Sequence, residues 1–407
     1  MEAVLLAAGE GTRLRPLTIT RPKPMLPLAG KPILEWNLDA LSDAGFRKAV
    51  IIVGYRKEEI VDYFGKAHKN LEIVYVTQDQ QLGTGNAVLT AKDHIKGDAF
   101  LAMNGDIITS AKTIRSFTAD WKNRRHAASI ALVEVDNPSN YGVIRLKGSI
   151  VEEIEEKPEK PKSNLANAGI YLLKRGIFET LSQLKKSSRN EYEITDALKA
   201  LIPKRDVSGF TCKGIWMDIG LPWHLLDANE IMMKTLKQKP SRKAIIEKNA
   251  TIKGSVHVGE KTILKSGTYI EGPCYIGKGC IIGPNCYIRP YTMLGDNCHV
   301  GNAVEIKNSI IMQNTKIGHL SYVGDSIIGQ NCNFGAGTTV ANLRFDDGGI
   351  MIDVKGTLTN SGRRKFGCLM GDNVKTGINV SIMPGRSIYP NAIIEPMTTV
   401  RNTIYAE

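Results

Sequence analysis

The stretch Ile270-Glu271-Gly272-Pro273-Cys274-Tyr275-Ile276-Gly277-Lys278-Gly279-Cys280-Ile281-Ile282-Gly283-Pro284-Asn285-Cys286-Tyr287-Ile288 decides half of the fold. Isoleucine stands at every sixth position. The series runs from Ile246 through Ile252, Val258, Leu264, Ile270, Ile276, Ile282, Ile288, Leu294 and Val300 to Ile306. A helix repeats about every 3.6 residues and a half-buried strand every second residue, so neither generates this rule. A six-residue repeat predicts a left-handed parallel β-helix. Each hexad makes one short flat face, three faces close a coil, and the marked aliphatic points inward. The register continues with small slips through Ile317, Val323, Phe334 and Val340, breaks from Ala341 to about Lys365, and returns at Met370, Ile382, Ile388, Ile394 and Val400. A long loop ejected from a rigid solenoid is expected to cover a site.

Upstream, apolar runs alternate with helical stretches. Val4–Ala7, Ala49–Val53, Ile73–Val76 and Ala99–Met103 read as buried strands; Ile33–Ala44, Lys57–Phe64 and Gly85–His94 read as helices. The alternation predicts a Rossmann-like three-layer α/β sheet with its site at the strand carboxyl ends. Ala128–Val135, Tyr141–Leu146 and Gly169–Leu173 follow as a more antiparallel section, then a helix over Glu191–Leu201. Trp223–Leu236 reads as a helix ended before Pro240. The expected organisation is an N-terminal domain over 1–235, a linker over 236–243 and the β-helix over 244–407.

Composition narrows the function. With 407 residues the chain is too long for one ordinary core. The net charge of +12 suits phosphate-bearing small ligands, since no nucleic-acid-binding motif is visible and Lys and Arg are scattered. Met1 leads straight into a strand, and no apolar run is long enough to cross a bilayer. The expectation is a cytoplasmic protein with neither nucleic acid nor membrane as a partner. Seven cysteines, an odd count without zinc-knuckle spacing, agree. Cys274, Cys280, Cys286 and Cys298 each stand two residues before an aliphatic marker, which reads as small core filler rather than a metal site.

The first strand runs into Leu6-Ala7-Ala8-Gly9-Glu10-Gly11-Thr12-Arg13-Leu14-Arg15-Pro16. The glycines let backbone N–H groups approach a polyphosphate. The loop lacks Gly-Lys-Ser/Thr, so it is no P-loop, and Leu14 stands where a dinucleotide fingerprint needs a third Gly or Ala. Arg21-Pro22-Lys23-Pro24-Met25-Leu26-Pro27 follows, and the pair resembles the sugar-1-phosphate nucleotidyltransferase family. Further signatures come in the family's order: Gln81-Leu82-Gly83-Thr84-Gly85, Asn104-Gly105-Asp106, Glu155-Glu156-Lys157-Pro158, Asn167-Ala168-Gly169 and Trp216-Met217-Asp218-Ile219-Gly220.

The resemblance implies attack of a sugar-1-phosphate on the α-phosphorus of a nucleoside triphosphate, releasing pyrophosphate. It puts Ala7, Ala8, Gly9, Gly11, Thr12, Gln78, Gly83 and Thr84 at the nucleotide. Arg13 and Lys23 become the phosphate-handling catalytic residues, and Asp106 and Asp218 the ligands of Mg²⁺. Gly142, Glu156, Lys157 and Asn167 fall at the sugar phosphate. Gln78 suggests a pyrimidine, UTP or dTTP, because an amide can both accept from N3–H and donate to O4. Taken singly, Arg13 and Lys23 read as solvated loop charges and Asp106 as a turn residue; the ordered set outweighs that.

Within the repeat, Arg289-Pro290, the run His299 to Lys307, Gly318-His319-Leu320-Ser321-Tyr322-Val323-Gly324-Asp325, Asn331 to Thr338, and Asn342 resemble the acetyltransferase half of the bacterial bifunctional enzymes that make UDP-N-acetylglucosamine. The resemblance implies that His319 is the base for N-acetylation of an amino-sugar-1-phosphate such as glucosamine-1-phosphate. It places Arg289 and Lys307 at the acceptor's phosphate, Tyr322, Asn333 and Asn342 at its sugar, and Ala336 at the acetyl-CoA thioester. Ile378 replaces a small polar residue near acetyl-CoA, and Leu343-Arg344-Phe345-Asp346 departs from the bacterial pattern. Related archaeal two-domain enzymes vary similarly, and some accept galactosamine-1-phosphate. Arg363-Arg364-Lys365 reads as a solvated run, with CoA phosphates as the alternative. The resemblance also implies a homotrimer joined through the prisms.

The leading expectation is thus a bifunctional enzyme using Mg²⁺ and acetyl-CoA. The alternatives are a nucleotidyltransferase whose β-helix only oligomerises or regulates, and a noncatalytic regulatory subunit of the translation initiation factor 2B type.

Overall fold

The computed structural model describes residues 1–124, 126–187, 189–236 and 239–405; Lys237 and Gln238 of the expected linker lie outside the described residues. The chain divides into two compact units. The first comprises Met1–Glu10, Pro22–Met25 and Ile33–Asp218, and the second Gly11–Arg21, Leu26–Pro32 and Ile219–Glu407.

In the first unit, Glu2–Ala7 pairs in parallel with Lys48–Val53 on one side and Ala99–Asn104 on the other. Leu71–Thr77 extends the parallel core beyond Lys48–Val53. Alternation along these strands feeds two cores. Ala3, Leu5, Ala49, Ile51, Leu101 and Met103 join one cluster, and Val4, Val50, Ile52, Phe100 and Ala102 the other. Successive side chains point to opposite faces, so a strand apolar throughout must be covered on both. The helices Ile33–Asp43 and Ala111–Arg124 cover one face, and Ile194–Leu201 with Ile177–Ser182 the other. The expected helix over Gly85–His94 is an α-helix Thr84–Thr90 followed by a 3₁₀ turn Lys92–His94. Leu165–Lys174 and Ala128–Glu134 turn the sheet antiparallel, and Gly142–Lys147, Ile150–Glu156, Val207–Thr211 and the short edge strand Ala67–His68 complete ten strands.

The second unit holds the left-handed parallel β-helix. Its three flat sheets have eight, eight and seven parallel strands. We call them the first face (beginning at Ile245–Ile246), the second (Thr251–Lys253) and the third (Val256–Val258). One aliphatic per hexad fills a continuous core from Val256 to Val400. The expectation that the whole marker series points inward fails at its start: Ile246 is 43% exposed, because no coil lies beneath it to cover that side chain. At the centre, Ile306 is fully buried. Ile306→Ala should lower stability by about 2–5 kcal/mol through lost contact and residual cavity. Denaturant titration checks it, and an unmoved midpoint would mean the core recloses around the smaller side chain.

Corners need left-handed backbone, which asparagine tolerates better than most residues. Asn297, Asn314, Asn331, Asn373 and Asn391 take it with φ of 58°, 60°, 57°, 61° and 67°. They stack into an amide ladder, each Nδ2 donating to the next Oδ1 at 3.3, 3.1, 3.2 and 3.0 Å. Cys274, Cys280, Cys286 and Cys298 are core, as read. Cys274, Cys280, Cys298 and Cys332 donate Sγ–H to backbone carbonyls of neighbouring coils, and burial pushes the Cys274 and Cys332 thiols up to about 12.

The ejected segment folds as an antiparallel hairpin, Met351–Val354 with Thr357–Asn360. Its return is anchored by ion pairs. Arg363 binds Asp227 of the helix Pro222–Thr235, and Arg364 binds Asp347 at 2.8 Å. Burial raises the Asp227 carboxyl above its ordinary value even with that guanidinium beside it. Two of the three cations read as a solvated run are therefore paired.

Candidate active sites

In the first unit the family signatures gather at the carboxyl ends of the central strands. Gly105 N–H donates to Leu6 O at 2.9 Å, tying the end of Ala99–Asn104 to the end of Glu2–Ala7. Ala8 O accepts from Tyr55 N–H at 3.1 Å and Gln81 Nε2 at 3.2 Å, which seats the turn where the glycine loop begins. Gly9 is exposed and a Cβ there would meet nothing within 4 Å, so its backbone is open to a ligand. Gly169, with φ of 70°, lies against Asn104, bringing Asn167-Ala168-Gly169 onto Asn104-Gly105-Asp106.

Lys23 opens a 3₁₀ turn, Lys23–Met25, and is almost fully buried. Its Nζ lies 2.6 Å from Asp106 Oδ2. Asp218 comes close along the chain of hydrogen bonds: Trp216–Asp218 pairs antiparallel with Ile107–Thr109, and Asp218 stands opposite Ile107, the neighbour of Asp106. Burial, with Asp218 adding its charge, raises the Tyr141 phenol. Arg13 is exposed in the turn Thr12–Leu14, led by Gly11 with φ of 74°, and this turn belongs to the second unit.

Gln78 is buried, and its Nε2 donates to Asn86 Oδ1 at 2.7 Å and Gly83 O at 3.3 Å. Asn86 was not legible as a partner from sequence. Gly83 has φ of 102°, and a Cβ there would fall 2.6 Å from Tyr192 O, so only glycine fits. Thr84 Oγ1 accepts from Ile194 N–H at 3.2 Å, a structural bond at the start of a helix. Gly142, Glu156 and Asn167 do come together: Gly142 stands opposite Glu156, and a Cβ on it would lie 3.1 Å from Glu156 Oε2 and 3.6 Å from Asn167 Cβ. Asn167 Nδ2 donates to Tyr171 OH at 2.8 Å. Arg189, unassigned from sequence, reaches Glu156 at 3.4 Å. Lys157 is exposed with left-handed backbone, its N–H donating to Tyr141 O.

In the prism the candidates divide around one edge. His319 ends the strand Lys316–His319 on the first face, with its side chain exposed. Carbonyls of Asn302, His319, Ala336 and Ile378 accept N–H from Leu320, Gly337, Asn379 and Met397 respectively, so these four residues hold one position in successive coils. His319, Ala336 and Ile378 therefore form a row along the edge. Burial, with Lys265, His319 and Lys316 nearby, holds the His299 imidazole below its ordinary value.

Around the corner at Leu320, along the second face, Tyr322 is in register with Glu305, Lys307 with Gly324, Arg289 follows the strand Tyr287–Ile288, and Asn342 follows Thr339–Val340. Arg289 Nη1 binds Glu305 Oε1 at 2.8 Å. Asn342 Nδ2 donates to Tyr322 OH at 3.2 Å and to Asp325 Oδ2 at 2.6 Å. Asp325 is 2% exposed, takes left-handed backbone with φ of 50°, and also receives Lys307 Nζ at 3.0 Å and Asn308 Nδ2 at 2.7 Å. It organises the cluster, yet sequence gave it no role; its place beside Gly324 in the quoted motif was the only signal. Gly324 leaves the room, since a Cβ there would fall 2.5 Å from Tyr322 OH. Asn333 is apart from this cluster, exposed on the first face between Lys316 and Lys375.

Among the described residues, one group of three or more metal-type side chains occurs elsewhere, Glu35, Asp39 and His68, and Lys69 Nζ already sits 2.7 Å from Asp39. Among the described residues no helix is long and apolar enough to cross a membrane.

Comparison with known proteins follows the same division. Residues 2–235 match the nucleotidyl transferase family and residues 270–405 the GMPPB C-terminal domain family. The bifunctional protein GlmU of Methanococcus vannielii is 49% identical over 97% of this chain and 93% of its own. The bifunctional sugar-1-phosphate nucleotidylyltransferase/acetyltransferase of Sulfurisphaera tokodaii is 44% identical over 97% of both chains. Among solved structures, a putative glucose-1-phosphate thymidylyltransferase from Bacillus anthracis, in complex with a sucrose, superposes with a TM-score of 0.53 at 31% identity, covering 57% of this chain and 94% of the other. A Lys–carboxylate couple at the end of a parallel sheet, an exposed histidine on the edge of a hexapeptide prism and relatives alike from end to end converge: the chain belongs to the nucleotidyl transferase family and, over 97% of its length, to the bifunctional GlmU-type nucleotidyltransferase/acetyltransferases.

Proposed function

We propose that this enzyme N-acetylates an amino-sugar-1-phosphate, glucosamine-1-phosphate or galactosamine-1-phosphate, from acetyl-CoA at the prism. In this reading the N-terminal half couples a sugar-1-phosphate to UMP or dTMP from UTP or dTTP. Residues 1–235 carry the second reaction, residues 244–407 the first, and residues 236–243 link them. The compartment is the cytoplasm.

At the N-terminal site the attacking group is a phosphate oxygen, already an anion, so no base is needed. The difficulty is bringing two polyanions together. Arg13 binds the triphosphate and the departing pyrophosphate, and Lys23 bridges the phosphates of both substrates. The backbone from Ala7 to Thr12 lines the nucleotide with Gly83 and Thr84. Asp106, in the turn just before Ile107, and Asp218, paired with Ile107, offer hard carboxylate oxygens, which fits Mg²⁺; when bound, the ion would neutralise phosphate charge during in-line displacement. With the Gln78 amide nitrogen already engaged by Asn86 and Gly83, its oxygen is the group left to accept from a pyrimidine N3–H. Gly142 leaves room for the sugar beside Glu156 and Asn167, whose polar atoms meet hydroxyls, with Lys157 at the phosphate.

At the prism, His319 takes a proton from the acceptor amine as nitrogen attacks the thioester carbonyl. Arg289 and Lys307 hold the acceptor phosphate, Tyr322 and Asn342 its sugar, and Asn342 or backbone N–H groups steady the oxyanion. Ala336 and Ile378 flank acetyl-CoA. The edge is convex and Asn333 faces away from Tyr322, so a closed pocket needs a neighbouring prism. This supports a homotrimer with Asn333 serving the adjoining site. The observation that carries the acetyltransferase assignment is the His319 imidazole exposed one corner from the Lys307–Asp325–Asn342–Tyr322 cluster, for which a prism used only in assembly has no need.

The test is an assay matrix with purified protein, pairing acetyl-CoA with each amino-sugar-1-phosphate and each triphosphate with each sugar-1-phosphate. Coenzyme A release and pyrophosphate release are both expected. Pyrophosphate release without acetylation of any amino sugar phosphate would reduce the prism to a scaffold. Sedimentation should give a trimer, and a stable monomer would defeat the shared pocket.

A further inference from the structure

Asn37 stands in the middle of the helix Ile33–Asp43 and is fully buried. It follows Leu34 by three residues and precedes Leu41 by four, so it shares their face, and both leucines belong to one core of the first unit. Stability alone gives no reason for an amide there. Asparagine forms helix less readily than leucine, and a buried amide costs free energy unless its atoms find partners. Oδ1 finds none among the described residues. Nδ2 does, donating to Gly105 O at 3.3 Å.

That carbonyl matters for what it carries. A peptide unit is planar, so the oxygen of Gly105, the nitrogen of Asp106 and the Cα of Asp106 move as one plate. The chain entering the plate is pinned, since Gly105 N–H donates to Leu6 O at 2.9 Å and a Cβ on Gly105 would fall 2.7 Å from that oxygen. The chain leaving Asp106 is pinned at Ile107, which pairs with Asp218. Between these points the Nδ2 bond is what holds the plate against tilting. A tilt would swing the carboxylate that faces Lys23 Nζ at 2.6 Å. All of these residues belong to the first unit. We propose that Asn37 is a positioning residue for nucleotidyl transfer, its amide setting the peptide that carries Asp106 and so the carboxylate offered to the metal. This rests on the reading of Asp106 as a Mg²⁺ ligand.

The experiment uses the full-length protein and two readouts. One is pyrophosphate release at a fixed Mg²⁺ concentration. The other is binding of Mn²⁺, followed by loss of the free ion's paramagnetic resonance signal. Asn37→Leu keeps the size, favours the helix and removes the donor. It should lower both kcat and Mn²⁺ affinity by about tenfold, the lower end of what losing an outer-shell partner costs a metal site, with the KM for triphosphate moving less than about threefold. Acetyl transfer, at a distinct site, should stay within about twofold. A helix that is merely looser would lower the unfolding midpoint and leave the ion affinity of the folded protein unchanged. Either kcat or Mn²⁺ affinity at its parent value in a folded Asn37→Leu overturns the proposal. If that variant does not fold, Asn37→Ala, which removes the donor without bulk, decides by the same two readouts. Unfolding of both variants makes Asn37 a core residue only and also overturns it. Asp106→Asn keeps the two readings apart. Parent Mn²⁺ affinity there refutes the ligand role itself, whereas weak binding there beside a normal Asn37 variant refutes only the positioning.

Discussion

Acetyl transfer is expected to fall by at least about 100-fold in His319→Ala, the cost of losing a general base, while pyrophosphate release from the same preparation stays within about twofold. The reason for expecting a clean loss lies in how the residue is held. The hydrogen bonds at position 319 are made by its backbone carbonyl, which accepts from Gly337 N–H at 3.2 Å and Ser321 Oγ at 2.7 Å. The imidazole is exposed and fills no core. Alanine should therefore leave the coil intact and remove only the chemistry. The measurement is coenzyme A release with a thiol reagent, run beside a pyrophosphate assay. Acetylation persisting at a tenth or more of the parent rate would remove His319 from the reaction. Parallel loss of both activities would contradict separate sites.

The converse variant addresses the first unit. Asp106→Asn should cut nucleotidyl transfer by about 100- to 1000-fold, the range seen when one group stabilising transition-state charge is removed. It should leave acetyl transfer in place. Asparagine preserves shape but gives up the charge that faces Lys23 Nζ at 2.6 Å and the hard anionic oxygen that a divalent ion prefers. The side chain is about one-third exposed, so the change should be tolerated structurally. Raising Mg²⁺ should recover part of the rate if weakened ion binding is the cause. An Asn variant with the parent rate and the parent Mg²⁺ dependence would rule out the ligand role, and Asp218 would then have to be considered without its partner.

What could be read from the chain depended on how local each signal was. The hexad rule was legible because each hexad puts one aliphatic inward, and a neighbour eighteen residues away repeats the same environment. The parallel strands were legible because burial on both faces leaves continuous apolar runs. Ile150–Glu156 and Val207–Thr211 were not, since the first is rich in glutamate and the second is defined by a partner, Ala128–Leu132, distant in sequence. At the sites, motif residues such as Lys23, Asp106, Glu156 and His319 could be named in advance, but their couplings could not. Asp325 looks like any polar corner residue until the structure places Lys307, Asn308 and Asn342 around it. Asn86 acquires meaning only through its bond to Gln78. The assignment of Gly11–Arg21 and Leu26–Pro32 to the unit of the prism rests on contacts across some 200 to 350 residues of chain, and no local pattern announces it.

The amide ladder has a consequence for how such a protein can diversify. It crosses the excursion that begins at Ala341 without losing a rung: Asn331 bonds Asn373, 42 residues further on, as well as Asn314 bonds Asn331. The coils on either side are thus blind to how much polypeptide departs between them. Doubling that stretch would cost only about 0.6 kcal/mol in closure entropy. The scaffold can stay constant while the excursion drifts, grows or is exchanged, which makes this point a natural socket for evolutionary tinkering and for grafting foreign peptides.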